Sequence, residues 1–141
     1  MRVSIASDHA GFAVKQKLII YLQDLGHEVV DQGPENDERV DYPDYAARVA
    51  ESVLSGETER GILVCGTGIG MAMKANKYSG IRAANVTTAE FAALSREHND
   101  ANVLCLSARF VDIKVNESII DAFLNTEFGK GRHAQRVEKI G

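Results

Sequence analysis

Apolar residues along the chain recur at two alternating spacings, and these spacings predict its secondary structure. A short apolar run over residues 3–6 is followed by leucines and a valine at helical spacing over residues 14–25, and Gly26 ends this stripe. The pattern predicts a strand and then a helix.

The same unit of a strand followed by a helix recurs along the rest of the chain. Further strands are predicted at 27–31, 61–64, 81–84 and 102–106, and further helices at 46–54, 71–77, 89–96 and 113–124. Five nearly continuous apolar strands, each followed by a helix, indicate a parallel sheet covered on both faces. The predicted fold class is α/β and doubly wound, with an expected strand order of 2-1-3-4-5.

The composition favours one globular domain. The chain has 141 residues, of which 45% are hydrophobic and 26% are charged, so disorder and a coiled coil are excluded. A chain of this size buries enough surface for one core. We therefore expect a single domain over 1–141, in which Gly129 and Gly131 set off a polar C-terminal arm, 129–141.

Charge and hydropathy limit the partners that the chain is expected to have. The net charge is −4, and the 16 lysines and arginines are scattered, so no nucleic-acid partner is expected. No secretion signal and no apolar run of the ~18 residues that a membrane helix needs is present, so we expect a cytoplasmic protein without a membrane partner.

Polar residues follow three of the predicted strands, where ligands bind in open α/β sheets. These segments are Ser7-Asp8-His9, Cys65 to Gly70, and Ser107-Ala108-Arg109. All three are therefore predicted at the carboxyl edge of the sheet. Residues 32–42 form the longest irregular segment, which is either a functional loop or a solvated acidic surface loop.

The segment Gly66-Thr67-Gly68-Ile69-Gly70 leads from a strand into a helix. Glycine lets the backbone turn its N–H groups toward an anion at a helix N-terminus, so the segment predicts a cradle for an oxyanion or a phosphate. It matches neither the dinucleotide-binding fingerprint nor the P-loop. A tight turn that binds nothing is the alternative.

Cys65 stands at the mouth of this turn, where a helix N-terminus favours the thiolate, which can act as a base or a nucleophile. A cysteine phosphatase would need an arginine six residues further on, where this chain has Met71. Cys105 lies within an apolar run and is better explained as a buried small hydrophobe. The two cysteines have neither metal-ligand nor disulfide spacing, and no metal or cofactor is expected.

Three further groups of polar residues are candidates for chemistry. His98 closes the fourth helix, where it could also serve the helix dipole, and Asp8 beside His9 could merely cap the next helix. Arg132 and Arg136 are four residues apart, so on a helix they would share one face and suit a phosphate. As isolated surface charges they would be unremarkable.

Taken together, these segments resemble ribose-5-phosphate isomerase type B, over nearly the whole chain. The resemblance rests on Ser7 to Phe12, Asp41-Tyr42-Pro43, Cys65 to Gly70, Asn76-Lys77, Gly80 to Ala83, Arg96 to Asn102, and Gly131-Arg132-His133. It implies a five-stranded parallel sheet of Rossmann type. It extends to relatives that isomerise allose 6-phosphate and galactose 6-phosphate.

The resemblance also implies a role for each matching residue. Cys65 would be the base that moves a proton between C1 and C2, and His98 would be the acid that opens the furanose ring. Some family members use a glutamate in the following helix instead, but this chain carries Met73 to Ala75 there. The enediolate would be stabilised by Gly66, Thr67, Gly68, Ile69 and Gly70. The sugar and its phosphate would be bound by Asp8, His9, Asn99, Arg109, Arg132 and Arg136.

Family members are dimers or tetramers with sites at the subunit interface, so the resemblance implies a homo-oligomer. The expected partner is a small-molecule sugar phosphate, and the expected reaction is metal-independent aldose–ketose isomerisation of ribose 5-phosphate. Pocket contacts that decide between five and six carbons leave a six-carbon sugar phosphate open. A non-catalytic sugar-phosphate-binding protein on the same fold is the alternative from another class.

Overall fold

A computed structural model describes all 141 residues. Strands and helices follow one another as β1 (Arg2–Ser7), α1 (Phe12–Asp24), β2 (Glu28–Asp31), α2 (Tyr42–Leu54), β3 (Arg60–Cys65), α3 (Ile69–Ala75), β4 (Ala83–Asn85), α4 (Ala89–Glu97), β5 (Val103–Ser107), α5 (Ile113–Asn125) and α6 (Arg132–Ile140). Every strand pair is parallel. The predicted α/β class with a Rossmann-like sheet is confirmed, and the polar tail forms the helix α6.

The strands lie in the order β2-β1-β3-β5-β4. The predicted order 2-1-3-4-5 is wrong for the last two strands, because β5 and not β4 pairs with β3. All five residues of β5 are buried, whereas the three residues of β4 are half-buried or exposed. The longer apolar strand therefore takes the position covered on both sides, and the short strand forms the edge.

Side chains that alternate along the strands build two hydrophobic cores, one on each face of the sheet. One core joins the sheet to α1, α4 and α5 and includes Ile5, Leu18, Ile62, Leu104 and Phe123. The other joins it to α2 and α3 and includes Ala6, Val49, Leu63, Met71 and Cys105. Helices thus cover both faces, as a doubly wound parallel sheet requires.

Glycine at position 11 allows a close contact between α1 and the centre of the sheet. A Cβ atom on Gly11 would lie 2.5 Å from the carbonyl oxygen of Val64, so no larger residue fits. This contact brings the chain between β1 and α1 directly against the end of β3.

The outer edge of β4 is closed by a side chain. Asn76 donates from Nδ2 to the carbonyl oxygen of Ala83 at 3.0 Å, and its Oδ1 accepts from the N–H of Ala83 at 2.8 Å. The amide group thus forms with β4 the two hydrogen bonds that another strand would form, and the edge strand offers no free ladder at this position.

Candidate active site

The ends of β1, β3 and β5 are joined by backbone hydrogen bonds at the carboxyl edge of the sheet. The N–H of Asp8 donates to the carbonyl of Val64 at 3.2 Å, and the N–H of Ala108 donates to the carbonyl of Cys65 at 2.9 Å. Arg109 continues this pairing by donating its N–H to the carbonyl of Gly66 at 3.1 Å. The structure therefore brings the three polar segments that follow these strands into one place.

The thiol of Cys65 lies at the end of β3 with 6% of the residue exposed. Gly68 adopts φ 84°, which turns the chain back so that its N–H donates to Sγ at 3.0 Å. The sulfur thus accepts a backbone hydrogen bond at the strand-to-helix turn. The cysteine therefore stands in a setting suited to a base or a nucleophile.

Several backbone N–H groups of the turn after Cys65, called the cradle here, have no acceptor in the chain. Those of Gly66, Thr67 and Gly70 donate to no acceptor in the chain, while the N–H of Ile69 donates to Thr67 Oγ1 at 3.1 Å. Unpaired N–H groups at a strand-to-helix turn are suited to hold an oxyanion.

Asn85, which was not predicted as a site residue, fixes the shape of this turn. Its Nδ2 donates to the carbonyl of Thr67 at 3.2 Å and to the carbonyl of Cys105 at 3.1 Å. A Cβ atom on Gly68 would lie 2.4 Å from that nitrogen. The tight packing of asparagine on glycine is a contact between β4 and the turn, so it depends on the strand order that the sequence did not reveal.

Two further side chains border the cradle. The Arg109 side chain lies over Gly66, with Nη1 3.4 Å from the position that a Cβ on that glycine would occupy, and it forms none of the ion pairs of the chain. The ring of Tyr42 packs in the same way against Gly70, at 2.6 Å from a Cβ position. An unpaired cation and a phenol thus lie at the cradle, and only the arginine was predicted there.

Asp8 and His9 carry the site toward the loop between β2 and α2. Asp8 is buried, and its Oδ1 accepts from the N–H of Gly11 at 2.9 Å in the turn before α1, while no side chain caps the helix itself. His9 accepts from the N–H of Val40 at its Nδ1, at 3.3 Å. In the neutral ring this hydrogen bond assigns the proton to Nε2, which leaves an N–H donor for a ligand.

Lys15, which was not predicted as a site residue, anchors the loop that reaches His9. Its side chain is fully buried, and Nζ donates to Asp31 Oδ1 at 2.7 Å and to the carbonyl of Pro34 at 2.8 Å. Because Asp31 Oδ1 also accepts from the N–H of Gly33 at 2.9 Å, the ammonium group fixes the first residues of the loop.

His98 and Asn99 lie at the opposite edge of the sheet. They follow α4 and precede β5, whereas Cys65 lies at the carboxyl end of β3, the neighbour of β5. Five residues of strand separate the two edges, roughly 13–16 Å at the usual rise per residue. The structure therefore does not bring His98 or Asn99 to the cysteine of the same chain.

The arginines of α6 lie beside His98. The N–H of Gly129 donates to the carbonyl of Glu97 at 2.9 Å, and the ring of His133 stacks on that of His98 at 4.5 Å. Burial at this contact lowers the pKa of His133, and the neighbouring His98, Arg132 and Arg136 lower it further. Arg132 and Arg136 are exposed, so a second cationic surface forms far from the cradle.

The chain contains no group of three or more His, Cys, Asp or Glu side chains arranged to hold a metal ion. None of its helices combines the length and the apolar character needed to cross a bilayer.

The fold and the site together indicate the class of protein to which the chain belongs. A doubly wound parallel sheet presents a cysteine, a cradle of unpaired N–H groups and a free arginine at its carboxyl edge, which is suited to chemistry on a small anionic substrate. A family model described as Ribose/Galactose Isomerase matches residues 3–140. The chain belongs to this family of isomerases.

The chain is similar in sequence to individual relatives along nearly their whole length. The chain is 45% identical over 139 residues to ribose-5-phosphate isomerase B of Escherichia coli, with 99% of this chain and 93% of the relative covered. A solved structure of ribose-5-phosphate isomerase B from Clostridium thermocellum is 50% identical with a TM-score of 0.99, covering 100% of this chain and 95% of that one. One from Thermotoga maritima is 49% identical with a TM-score of 0.97, covering 99% and 96%.

Proposed function

We propose that the chain interconverts ribose 5-phosphate and ribulose 5-phosphate through an enediolate, with Cys65 as the base. The relatives named ribose-5-phosphate isomerase B support the substrate. The single observation that carries the mechanism is the pairing of Sγ with the N–H of Gly68, beside N–H groups that have no acceptor in the chain.

The proposed proton transfer uses one base and one oxyanion site. The Cys65 thiolate takes the proton from C2 of the open-chain aldose and returns it to C1, while a second proton passes from O2 to O1. Negative charge develops on these oxygens in the enediolate, where the unpaired N–H groups of Gly66, Thr67 and Gly70 stabilise it. Gly68 and Ile69 complete the turn. Because these N–H donors already stabilise the negative charge on the oxygens, the proposed mechanism includes no metal ion.

Substrate binding completes the proposal. Ribose 5-phosphate is mostly a closed furanose, so an acid must protonate the ring oxygen, and His98 is proposed for this step. Asp8, His9 and Asn99 are proposed to bind hydroxyl groups. Arg109, Arg132 and Arg136 are proposed to bind hydroxyls or the phosphate, which anchors the sugar over the thiolate.

His98 and Cys65 can meet on one sugar only if two chains contribute. We therefore propose a homo-oligomer, a dimer or a tetramer, in which the His98 edge of one copy faces the Cys65 edge of another. Apolar surface beside the cradle supports this arrangement, since Phe110 is 77% exposed and Ile69 is 50% exposed around a cavity of about 580 Å³. The helix α6, none of whose residues is buried, is proposed as the C-terminal arm, 129–141, that reaches the second copy.

The first test is kcat/KM on ribose 5-phosphate, allose 6-phosphate and galactose 6-phosphate, with Cys65→Ala as the control. We expect ribose 5-phosphate to be preferred and its turnover to be abolished in the variant, which should still bind the sugar. Near-wild-type turnover of the variant would refute the cysteine base. Binding of a sugar phosphate without turnover would favour a binding protein.

The second test mixes inactive chains. In a two-chain site, a dimer of one Cys65→Ala chain and one His98→Ala chain contains one intact site and one doubly altered site. An equal mixture, unfolded and refolded together, should recover about a quarter of wild-type turnover, because half of its dimers are mixed. No recovery above the separate variants would place both residues in one chain and contradict the proposal.

A further inference from the structure

Asp100 occupies an unusual position in the turn that follows His98 and Asn99. Its φ is 48°, in the left-handed region that a residue with a side chain rarely adopts. The turn closes α4, because the N–H of Asp100 donates to the carbonyl of Arg96 at 3.1 Å and that of Ala101 donates to the carbonyl of Ser95 at 2.9 Å. The orientation of His98 therefore depends on how this turn is held.

Two arginines, Arg96 of α4 and Arg82 just before β4, hold the carboxylate of Asp100. Arg96, with 3% of its side chain exposed, donates to Oδ1 at 2.8 Å, and Arg82 donates to Oδ2 at 3.2 Å. Arg82 also donates from Nε to the carbonyl of Asp100 at 2.8 Å, and its own N–H donates to Asn102 Oδ1 at 2.8 Å. Both the side chain and the backbone of Asp100 are thus tied to neighbouring elements.

The surroundings of this carboxylate are strongly cationic. Arg60 lies near both arginines with its Nε buried and without a hydrogen-bond partner, and burial together with the nearby Arg96 lowers its pKa. Arg96 is held in place by the carbonyl of Thr126 at 3.2 Å. The cluster therefore holds the turn that directly follows His98 from several sides.

We propose that Asp100 is a positioning residue for ring opening, which fixes His98 and Asn99 at the angle needed to reach the sugar held by the second copy. The inference rests on the proposed function of His98. Asp100 itself touches no substrate. When the carboxylate is removed, the turn loses its ties to Arg82 and Arg96 and relaxes, and the imidazole moves away from the ring oxygen.

The experiment separates ring opening from proton transfer. Ribulose 5-phosphate cannot close to a furanose, because its O5 carries the phosphate, so its exchange of C1 hydrogen with deuterium from solvent needs the base and the cradle alone. Isomerisation of ribose 5-phosphate needs the ring-opening acid as well. Both rates are measured for the wild type, Asp100→Asn, Asp100→Gly and Arg82→Lys, with the thermal unfolding of each.

We expect Asp100→Asn and Asp100→Gly to lose about tenfold or more in kcat for isomerisation while exchange stays within about threefold. Both replacements accept a left-handed φ, so the loss would report the missing carboxylate. Arg82→Lys should also slow isomerisation more than exchange, by a smaller factor. If the Asp100 variants do not fold, this variant tests the positioning role instead. Asp121→Asn, which removes the carboxylate that accepts from Tyr21 at 2.6 Å on another surface, is the matched control and should change neither rate.

Equal loss of both rates in the Asp100 variants, or no loss in either, would overturn the positioning role. Absence of both exchange and isomerisation in the wild type would instead refute the proposed function, and the inference with it.

Discussion

Lys15→Met tests how the site is held together at the loop between β2 and α2. The replacement keeps the length and most of the volume of the side chain but removes the buried ammonium group. The carbonyl of Pro34 then loses its donor, and Asp31 loses the cation at 2.7 Å. The Phe12 ring also loses a cation at 5.2 Å from its centroid.

The structure bounds the magnitude of this effect. Each hydrogen bond to a charged group contributes about 1.5–3 kcal/mol, and stranding a fully buried partner of an ion pair costs about 3–5 kcal/mol. The side chain of Asp31 is 42% exposed, so water replaces part of what it loses. We therefore expect a loss of about 2–3 kcal/mol in the free energy of unfolding, which lowers the Tm by about 5–10 °C in a chain of this size.

Urea and thermal unfolding measure the stability, and steady-state kinetics measure the site. Because the loop ends on His9 through the N–H of Val40, its loosening should also raise KM several-fold. Lys17→Met, an exposed lysine on the same helix, is the matched control and should change neither quantity. A loss below about 1 kcal/mol with unchanged KM would refute the view that Lys15 anchors this loop.

Two further predictions concern the cradle and its cysteine. Gly68→Ala forces a side chain into a φ of 84° and to 2.4 Å from Asn85 Nδ2. We therefore expect a loss of about 2–4 kcal/mol in the free energy of unfolding, and a fall in kcat because the N–H moves away from Sγ. Urea unfolding and steady-state kinetics check this, and a fully active, equally stable variant would contradict it. Burial raises the pKa of the Cys105 thiol, so iodoacetamide should modify one cysteine per native chain, Cys65, with loss of turnover, and Cys105 only after unfolding. Peptide mass spectrometry identifies the labelled cysteine, and native Cys65→Ala should take up no label. Modification of Cys105 before Cys65 in the native chain would contradict the prediction.

Local pattern and chain connectivity were sufficient to predict most of the fold. Strand and helix alternation indicated the α/β class, and the carboxyl-edge rule brought Cys65, Asp8 and Arg109 to one region, because every strand of a parallel sheet ends on the same side. The order of the last two strands is a different kind of property. It depends on how strongly β5 is buried relative to β4, which is a competition between distant segments.

The parts of the site that the sequence did not reveal depend on contacts between elements. Asn85 and Tyr42 border the cradle only because β4 and α2 pack against it, and neither segment by itself indicates that contact. Asp100 shows the same limit, since its φ and its two arginines are tertiary features. A lysine that is fully buried, as Lys15 is, cannot be told from an exposed one by helical periodicity alone.

The closed outer edge of β4 determines how copies of this chain can associate. The Asn76 amide takes the place of a neighbouring strand at Ala83, and the opposite edge strand β2 is bounded by the charged Glu28 and Asp31, so both edges oppose the addition of strands from another molecule. In the proposed homo-oligomer, contacts between copies would then use side chains on helices and loops. Side chains on such a surface can change one residue at a time, whereas the backbone hydrogen bonds between strands cannot. An interface built from side chains can therefore gain functional groups that take part in the reaction.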